Sequence, residues 1–135
     1  MIKKIEYNNV IFGIIINSQD KFNLGHNFIT NPNENLQVNI LNQGKASIIP
    51  NHLHNFIERK IYGTQEVLYV EKGVMKVKFL TTDGNLIGEE VLNAGDLVVL
   101  LRGGHGFEFL EDTKIIYVKQ GPYLNKEIDK IEFEK

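Results

Sequence analysis

Two histidines, His52 and His54, stand on either side of Leu53. In a β-strand, residues two apart project from the same face, so both imidazoles would point to one place. Neutral imidazoles are common metal ligands, and a pair at this spacing favours a metal site. The alternative is two exposed histidines on a solvated strand, and the pair alone leaves that choice open.

Two residues further along the chain could complete such a site. Glu66 opens an apolar segment, residues 67–70, where a carboxylate needs a partner because an unpaired buried charge is costly. His105 follows an apolar run and the Gly103-Gly104 pair. Three imidazoles and one carboxylate would leave open positions on an octahedral ion, where water or a substrate can bind. The chain has no cysteine, which excludes thiolate ligands and a thiol nucleophile.

The elements that must position these residues are short strands. Runs of β-branched and apolar residues alternate with Gly, Asn and Asp, a pattern typical of all-β proteins. The predicted strands are residues 10–16, 36–41, 46–54, 66–71, 75–80, 86–92, 97–101, 106–110 and 114–119. Asp83-Gly84 predicts a tight hairpin turn, because Asp-Gly accommodates positive φ angles. Residues 21–35 are expected to be irregular, and residues 126–135 fit either a terminal strand or a short helix.

Length and composition are those of one ordinary globular domain. The 135 residues are 42% hydrophobic and 24% charged, with a formal net charge of -2 and no basic stripe, which excludes nucleic-acid binding. The apolar run Val10–Ile16 is too short to span a bilayer and no cleavage site follows it. We therefore expect a cytoplasmic protein that does not bind membranes. Many short antiparallel strands must close into a barrel or stack as two sheets.

The order of the site residues resembles the first motif of the cupin superfamily. That motif has a His-x-His pair, a glutamate and a later glycine, matched here by His52, His54, Glu66 and Gly73. Eleven residues separate His54 from Glu66, whereas the family usually has a shorter spacer. Glu58 lies at the usual distance from His54 and is the alternative carboxylate ligand. Glu66 is preferred because its spacing to Gly73 fits and because it opens a credible strand.

A later part of the chain is similar to the second cupin motif. Gly95-Asp96, an apolar run, a Gly-Gly pair and His105 follow the order of that motif, without its usual proline and terminal asparagine. The resemblance covers roughly residues 36–120. It implies a cupin-type double-stranded β-helix, the jelly-roll β-barrel, as a single domain.

The resemblance also implies an organisation and a ligand. Residues 1–35 would supply N-terminal strands and a loop, residues 36–120 the barrel core, and residues 121–135 a C-terminal extension. One divalent metal ion (Fe, Mn, Ni, Co or Zn) would be bound, and no other cofactor is predicted. Its implied ligands are His52, His54, Glu66 and His105. A homodimer is expected because many cupins pair.

The activity is left open by the fold, because cupins include isomerases, epimerases, dioxygenases and binding modules. Residues 63–70, 103–107 and 119–123 look like segments of small single-domain cupins associated with bacterial surface-glycan genes. We therefore predict a metal-dependent enzyme of carbohydrate metabolism, isomerase/epimerase-like or oxygenase-like, acting on a small polar metabolite such as a sugar derivative. The alternatives are a non-catalytic module that binds a small ligand and a barrel in which the metal is structural.

Three residues are candidates for proton transfer in such an enzyme, namely Glu58, Tyr69 and Tyr117, although no acid–base pair is evident from spacing. Tyr117 shares one face of the last predicted strand with Lys119, and the sequence does not tell whether that face points inward. Phe107 lies two residues after His105 and should share its inward face.

Long cations could bind an anionic substrate, although such side chains usually extend to solvent. The candidates are Arg59, Arg102 and Lys119. The remaining histidine, His26, stands in a turn-like stretch and is expected to be an exposed loop residue.

Overall fold

The computed structural model describes residues 2–133, which form ten β-strands and one short helix. These elements are β1 (Lys3–Tyr7), β2 (Val10–Ile16), β3 (Gly25–Phe28), β4 (Asn39–Asn42), β5 (Glu66–Lys72), β6 (Val74–Leu80), β7 (Leu86–Asn93), β8 (Leu97–Leu100), β9 (Gly104–Phe109), β10 (Lys114–Lys119) and α1 (Lys126–Asp129). Within these residues, no helix has the length and apolar character needed to cross a bilayer.

The chain divides into two compact units. The first unit combines Met1–Asp20 with Thr64–Lys135, and the second unit is Lys21–Gly63. Strands β3 and β4 pair antiparallel in the second unit, and the other strands belong to the first.

The described part of the first unit is a sandwich of two antiparallel sheets. One sheet has five strands in the order β1-β2-β8-β5-β10, and the other has three in the order β7-β6-β9. Side chains of both sheets meet in one apolar core between them. The all-β class predicted from the sequence is therefore confirmed, in the form of two stacked sheets.

Alternation of buried and exposed residues shows which strand faces point into this core. In β5, Leu68 and Val70 are fully buried, whereas Tyr69 between them is 37% exposed. Successive strand residues point to opposite faces, so this pattern fixes the inward side of the strand. The core consists of Ile5, Ile15, Leu68, Val70, Met75, Val77, Phe79, Leu92, Val98 and Leu100. Full burial of one such side chain stabilises the fold by about 1.5–3 kcal/mol.

Most strands lie where the sequence places them. The predicted segments 10–16 and 114–119 have the same bounds as β2 and β10, and the hairpin around Asp83-Gly84 is formed by β6 and β7. Residues 126–135 contain the one-turn helix α1, and the last two of them lie outside the described residues.

Two predictions about the second unit are wrong. The strand expected over residues 46–54 is not formed, and this stretch is irregular. Pro50 has no N–H to donate to a sheet ladder, and Ala46 has a left-handed φ of 71°, so neither residue suits a regular strand. Conversely, β3 lies inside residues 21–35, which were expected to be irregular.

We expect Gly73→Ala to lower the free energy of unfolding by about 2 kcal/mol or more. Gly73 joins β5 to β6 with a φ of 94°, and left-handed backbone alone costs an L-residue about 1–2 kcal/mol. A Cβ at this position would also lie 2.5 Å from Thr113 Oγ1, and closer still to the Asp112 carbonyl oxygen. Urea denaturation measures the loss.

Gly88→Ala is the matched control. Gly88 lies in β7 beside the register shift of the β6–β7 pair and has no left-handed φ, and an added Cβ would meet no atom within 4 Å. This variant should be as stable as the parent or slightly more stable, because alanine loses less backbone entropy on folding. Equal stability of Gly73→Ala and Gly88→Ala would contradict the prediction.

Candidate metal centre

The first unit buries a carboxylate at the start of β5. Glu66 is 6% exposed, and its register partners are Lys119 on β10 and Leu100 on β8. The preceding N–H, of Gln65, donates to the side-chain oxygen of Gln120 at 2.8 Å. This contact joins the start of β5 to the end of β10, so the position of Glu66 is well defined.

Two side chains contact the Glu66 carboxylate, one from each sheet. Tyr117 on β10 donates its hydroxyl to Glu66 Oε2 at 2.5 Å. His105 on β9 places Nε2 at 3.3 Å from the same oxygen. Strands β10 and β9 are edge strands of the five-stranded and the three-stranded sheet. Glu66 is therefore held between the two sheets at the side where their edges face each other.

The surroundings of Glu66 favour its charged form. Burial has the largest influence and by itself would raise the pKa of this carboxyl. The His105 imidazole 3.3 Å away, the hydrogen bond from Tyr117 and the charge of Lys119 outweigh it and bring the pKa of Glu66 below its ordinary value. The carboxylate is therefore ionised at neutral pH, as a metal ligand must be.

Tyr117 is a donor to this carboxylate and stays protonated. Burial of the phenol, its hydrogen bond to Glu66 and the negative charges of Glu66 and Asp129 raise the pKa of Tyr117 above its ordinary value. A phenol with a raised pKa keeps its proton at neutral pH, so it is not available to accept a proton as a general base. Its contact with Glu66 therefore gives Tyr117 the role of a positioning residue for the carboxylate.

We expect Tyr117→Phe to lower the free energy of unfolding at pH 7 by roughly 1–2 kcal/mol. The variant loses the hydrogen bond from the half-exposed Tyr117 side chain to the charged Glu66 carboxylate. A carboxyl with a lowered folded-state pKa stabilises the fold above its unfolded-state pKa, about 4.3, and this stabilisation is lost as the pH falls. The difference between parent and variant should therefore shrink between pH 7 and pH 3.

Denaturation with chelator present, at several pH values, measures this effect in the metal-free protein. Tyr69→Phe is the control, because Tyr69 points to the outer face of β5, away from Glu66, and should change stability by less than about 0.5 kcal/mol. A Tyr117→Phe loss that is equally large at pH 3 would show that the hydroxyl does not act through the Glu66 charge.

The inward face of β10, which the sequence left open, is the face of Tyr117 and Lys119. Lys119 stands opposite Glu66 in the strand register, and its Nζ donates to Asp129 Oδ2 at 2.5 Å. That hydrogen bond is the main reason that the pKa of Lys119 is raised and the pKa of Asp129 is lowered. Lys119 therefore carries a full positive charge beside Glu66.

Phe107 packs against the core and stacks on His105, with ring centroids 5.3 Å apart and an interplanar angle of 28°. The prediction that it shares the inward side with His105 is confirmed. The stacked ring limits how the imidazole can turn, so the Nε2 atom stays directed at Glu66.

The second unit contains the His-x-His pair, in an irregular segment rather than a strand. The rings of His52 and His54 are exposed, with centroids 5.3 Å apart. His52 Nδ1 lies 2.8 Å from the Pro50 carbonyl oxygen. Because a carbonyl only accepts hydrogen bonds, Nδ1 carries the proton, and in the neutral ring Nε2 presents its lone pair. Glu58 and Arg59 are exposed in the same segment.

The other residues singled out from the sequence have structural contacts of their own. His26 is exposed as expected, but it lies in β3 rather than in a loop. Its ring stacks on Phe28, and its Nδ1 lies 2.7 Å from Asn39 Nδ2. The guanidinium of Arg102 donates to the carbonyl oxygen of Ile11.

Of the four predicted ligands, Glu66 and His105 contact each other in the first unit, and His52 and His54 are neighbours in the second. Across residues 2–133, no group of three or more His, Asp or Glu side chains has the arrangement of a metal site. Contacts that the sequence did not indicate are those of Asp129 and Gln120, both near the end of the chain.

The chain matches no protein-family model, no curated protein and no solved structure. Its resemblance to cupins therefore rests on the residues of the two motifs. What the structure adds is the all-β sandwich and the buried carboxylate with its imidazole and phenol partners.

Proposed function

We propose that this chain is a cupin-type enzyme that binds one divalent ion and acts on a small polar metabolite, such as a sugar derivative. The observation that carries the proposal is the distance of 3.3 Å between Glu66 Oε2 and His105 Nε2. Two ligand atoms that are each about 2.1 Å from one ion lie about 3.0–3.4 Å apart at tetrahedral to octahedral angles. The 3.3 Å spacing is thus compatible with two adjacent ligands of one ion, as it also is with a direct imidazole–carboxylate contact.

The His52 ring supports the same proposal. Ligand histidines in metalloproteins commonly donate their second ring N–H to a backbone carbonyl, which fixes the tautomer. The contact of His52 Nδ1 with the Pro50 carbonyl is of that kind. The motif supplies His52 and His54 as the remaining proposed ligands, with Glu58 as the alternative to Glu66.

The strand pairing supports a jelly-roll barrel as the finer description of the fold. Strand β5 pairs with β10 and β6 pairs with β9, so the partners are nested around the segment between them. A jelly roll contains such nested antiparallel pairs, because it forms when a long antiparallel ribbon rolls up.

A bound metal would act as a Lewis acid on a carbonyl or hydroxyl oxygen of the substrate. The protein's own residues prepare the place for it. Tyr117 holds Glu66 in one position, and burial of Glu66 strengthens electrostatic interactions there. Phe107 fixes the His105 ring by stacking.

A non-catalytic binding module is the second candidate function. It is favoured by the positions of two candidate proton-transfer residues. Tyr69 points to the outer face of β5, and the hydroxyl of Tyr117 is already donated to Glu66. A module of this kind would bind a small carboxylate or diol ligand without turnover.

Elemental analysis of gently purified, untagged protein tests the proposal. We expect close to one equivalent of Fe, Mn, Ni, Co or Zn in the parent, strongly reduced in His52→Ala and His54→Ala. His26→Ala is the control and should retain the metal. Absence of metal from the parent, even after reconstitution, would overturn the proposal.

Water relaxation of the Mn²⁺-loaded protein separates the remaining alternatives. An open coordination position gives fast relaxation through an exchanging water, as a catalytic or binding site requires. A fully coordinated structural metal gives no such signal, and its removal would unfold the protein.

A further inference from the structure

The end of the described chain, residues 125–133, forms a strap that follows β10 and includes α1. Asn125 begins the helix by accepting a hydrogen bond from the Ile128 N–H at 2.9 Å. None of the four residues of α1, all of them described, is buried. The position of the strap therefore depends on a few side-chain contacts with the sandwich.

One end of the strap is attached beside Glu66. Asp129 accepts from Lys119 Nζ at 2.5 Å and from Thr64 Oγ1 at 3.4 Å. Thr64 precedes β5, and Lys119 ends β10 opposite Glu66. Both contacts lie on the five-stranded sheet.

The other end of the strap lies over the three-stranded sheet. The Phe133 ring covers two glycines, since a Cβ built on Gly104 would lie 2.8 Å from it and one on Gly84 would lie 3.0 Å from it. Gly104 directly precedes His105. The strap thus crosses from one sheet to the other at the end of the sandwich that holds Glu66 and His105.

The contact between Lys119 and Asp129 on the strap is an ion pair. Lys119 is also the register partner of Glu66 across the β5–β10 pair. The side chains of Lys119 and Asp129 are 26% and 16% exposed. A partly exposed ion pair contributes little net stability, because desolvation and side-chain ordering offset the attraction. A second anion could therefore replace Asp129.

We propose that Lys119 is the anion-binding residue of this site, and that Asp129 is an internal carboxylate which a carboxylate or phosphate group of the substrate replaces when the strap opens. The anion-binding role does not require a metal. Its assignment to the substrate rests on the proposed function, because it places the anionic group beside Glu66 and His105. The substrate class is then an anionic, polar small molecule.

Binding of inorganic phosphate and of malonate to the full-length chain, followed by NMR titration, tests the proposal. We expect Asp129→Asn to bind one of these anions about tenfold more tightly than the parent. In the parent, a form in which Asp129 occupies Lys119 and which is populated at about 90% would weaken the apparent affinity tenfold, and the variant removes that competition. Glu127→Gln, a charge-matched change on the same helix, should leave the affinity at the parental value. Tighter binding of phosphate or of malonate identifies the anionic group.

Two further variants separate the roles. Adding Lys119→Gln to Asp129→Asn should return the affinity to the parental level or below it. Phe133→Ala should also strengthen binding, since it releases the strap without altering Lys119. The proposal is overturned if Asp129→Asn binds neither anion more tightly than the parent, if the double variant keeps the gain, or if Phe133→Ala gains nothing.

Metal content measured on the same samples separates this inference from the proposed function. A gain in anion affinity without any bound metal supports the Lys119 site and removes the metalloenzyme. Bound metal without a gain in anion affinity supports the metal site and removes the Lys119 site.

Discussion

Glu66→Gln is expected to lower the affinity for a divalent ion by at least about 100-fold. Residues that merely orient a ligand commonly contribute 10–100-fold to metal affinity, and the proposed role of Glu66 is direct coordination. Glutamine keeps the size of the side chain but removes the negative charge. Metal content after dialysis against fixed concentrations of free metal ion measures the affinity.

Glu71→Gln is the matched control for this loss. Glu71 lies on the same strand, is exposed, and pairs with Lys114 at 3.0 Å. Its replacement should leave the metal affinity at the parental value, and circular dichroism should show that both variants are folded. If Glu66→Gln retains metal as well as Glu71→Gln does, Glu66 is not a ligand and Glu58 becomes the carboxylate to test.

Phe79→Ala is expected to lower the free energy of unfolding by about 3–5 kcal/mol, the usual loss for a large buried aromatic residue. Phe79 is 1% exposed and belongs to the core shared by the two sheets. Its ring packs directly over Gly13 on β2, where an added Cβ would lie 3.0 Å from Phe79 Cδ1. The variant therefore opens a cavity that neither sheet can easily fill. Urea denaturation measures the change.

Phe109→Ala provides the comparison for Phe79. Phe109 lies at the end of β9 in the same sheet and is 56% exposed, so its loss should cost less than about 1 kcal/mol. Equal losses for the two variants would mean that the ring of Phe79 does not organise the core.

Much of the first unit could be predicted because its strands have clear local signals. The Asp83-Gly84 turn and the apolar runs on either side of it determine the β6–β7 hairpin. Strand β1 was missed because only Ile5 of its five residues is buried, so the apolar pattern is weak. Its signal was the turn that follows, where Asn8 and Asn9 both take positive φ angles.

The site was predictable only in part, because a sequence pattern does not show which residues face each other. The strand signal of Glu66 and the position of His105 after two glycines singled out both residues, and they are in contact. Alternation along β10 could pair Tyr117 with Lys119 but could not say which side faces Glu66. That choice depends on the register of β10 against β5, which involves residues about 50 positions apart.

The position of β8 between β2 and β5 also bears on how the protein is made. Strand β2 reaches its second partner only when β8 exists, and the paired residues Ile16 and Leu97 are roughly 80 positions apart. At about 5–20 residues per second, a ribosome needs on the order of 4–16 s to supply that length. During this time one edge of an apolar strand has no partner, and an unpaired apolar edge is a risk for aggregation. Among the described strands, β2 has the longest interval between its own synthesis and the synthesis of its last pairing partner.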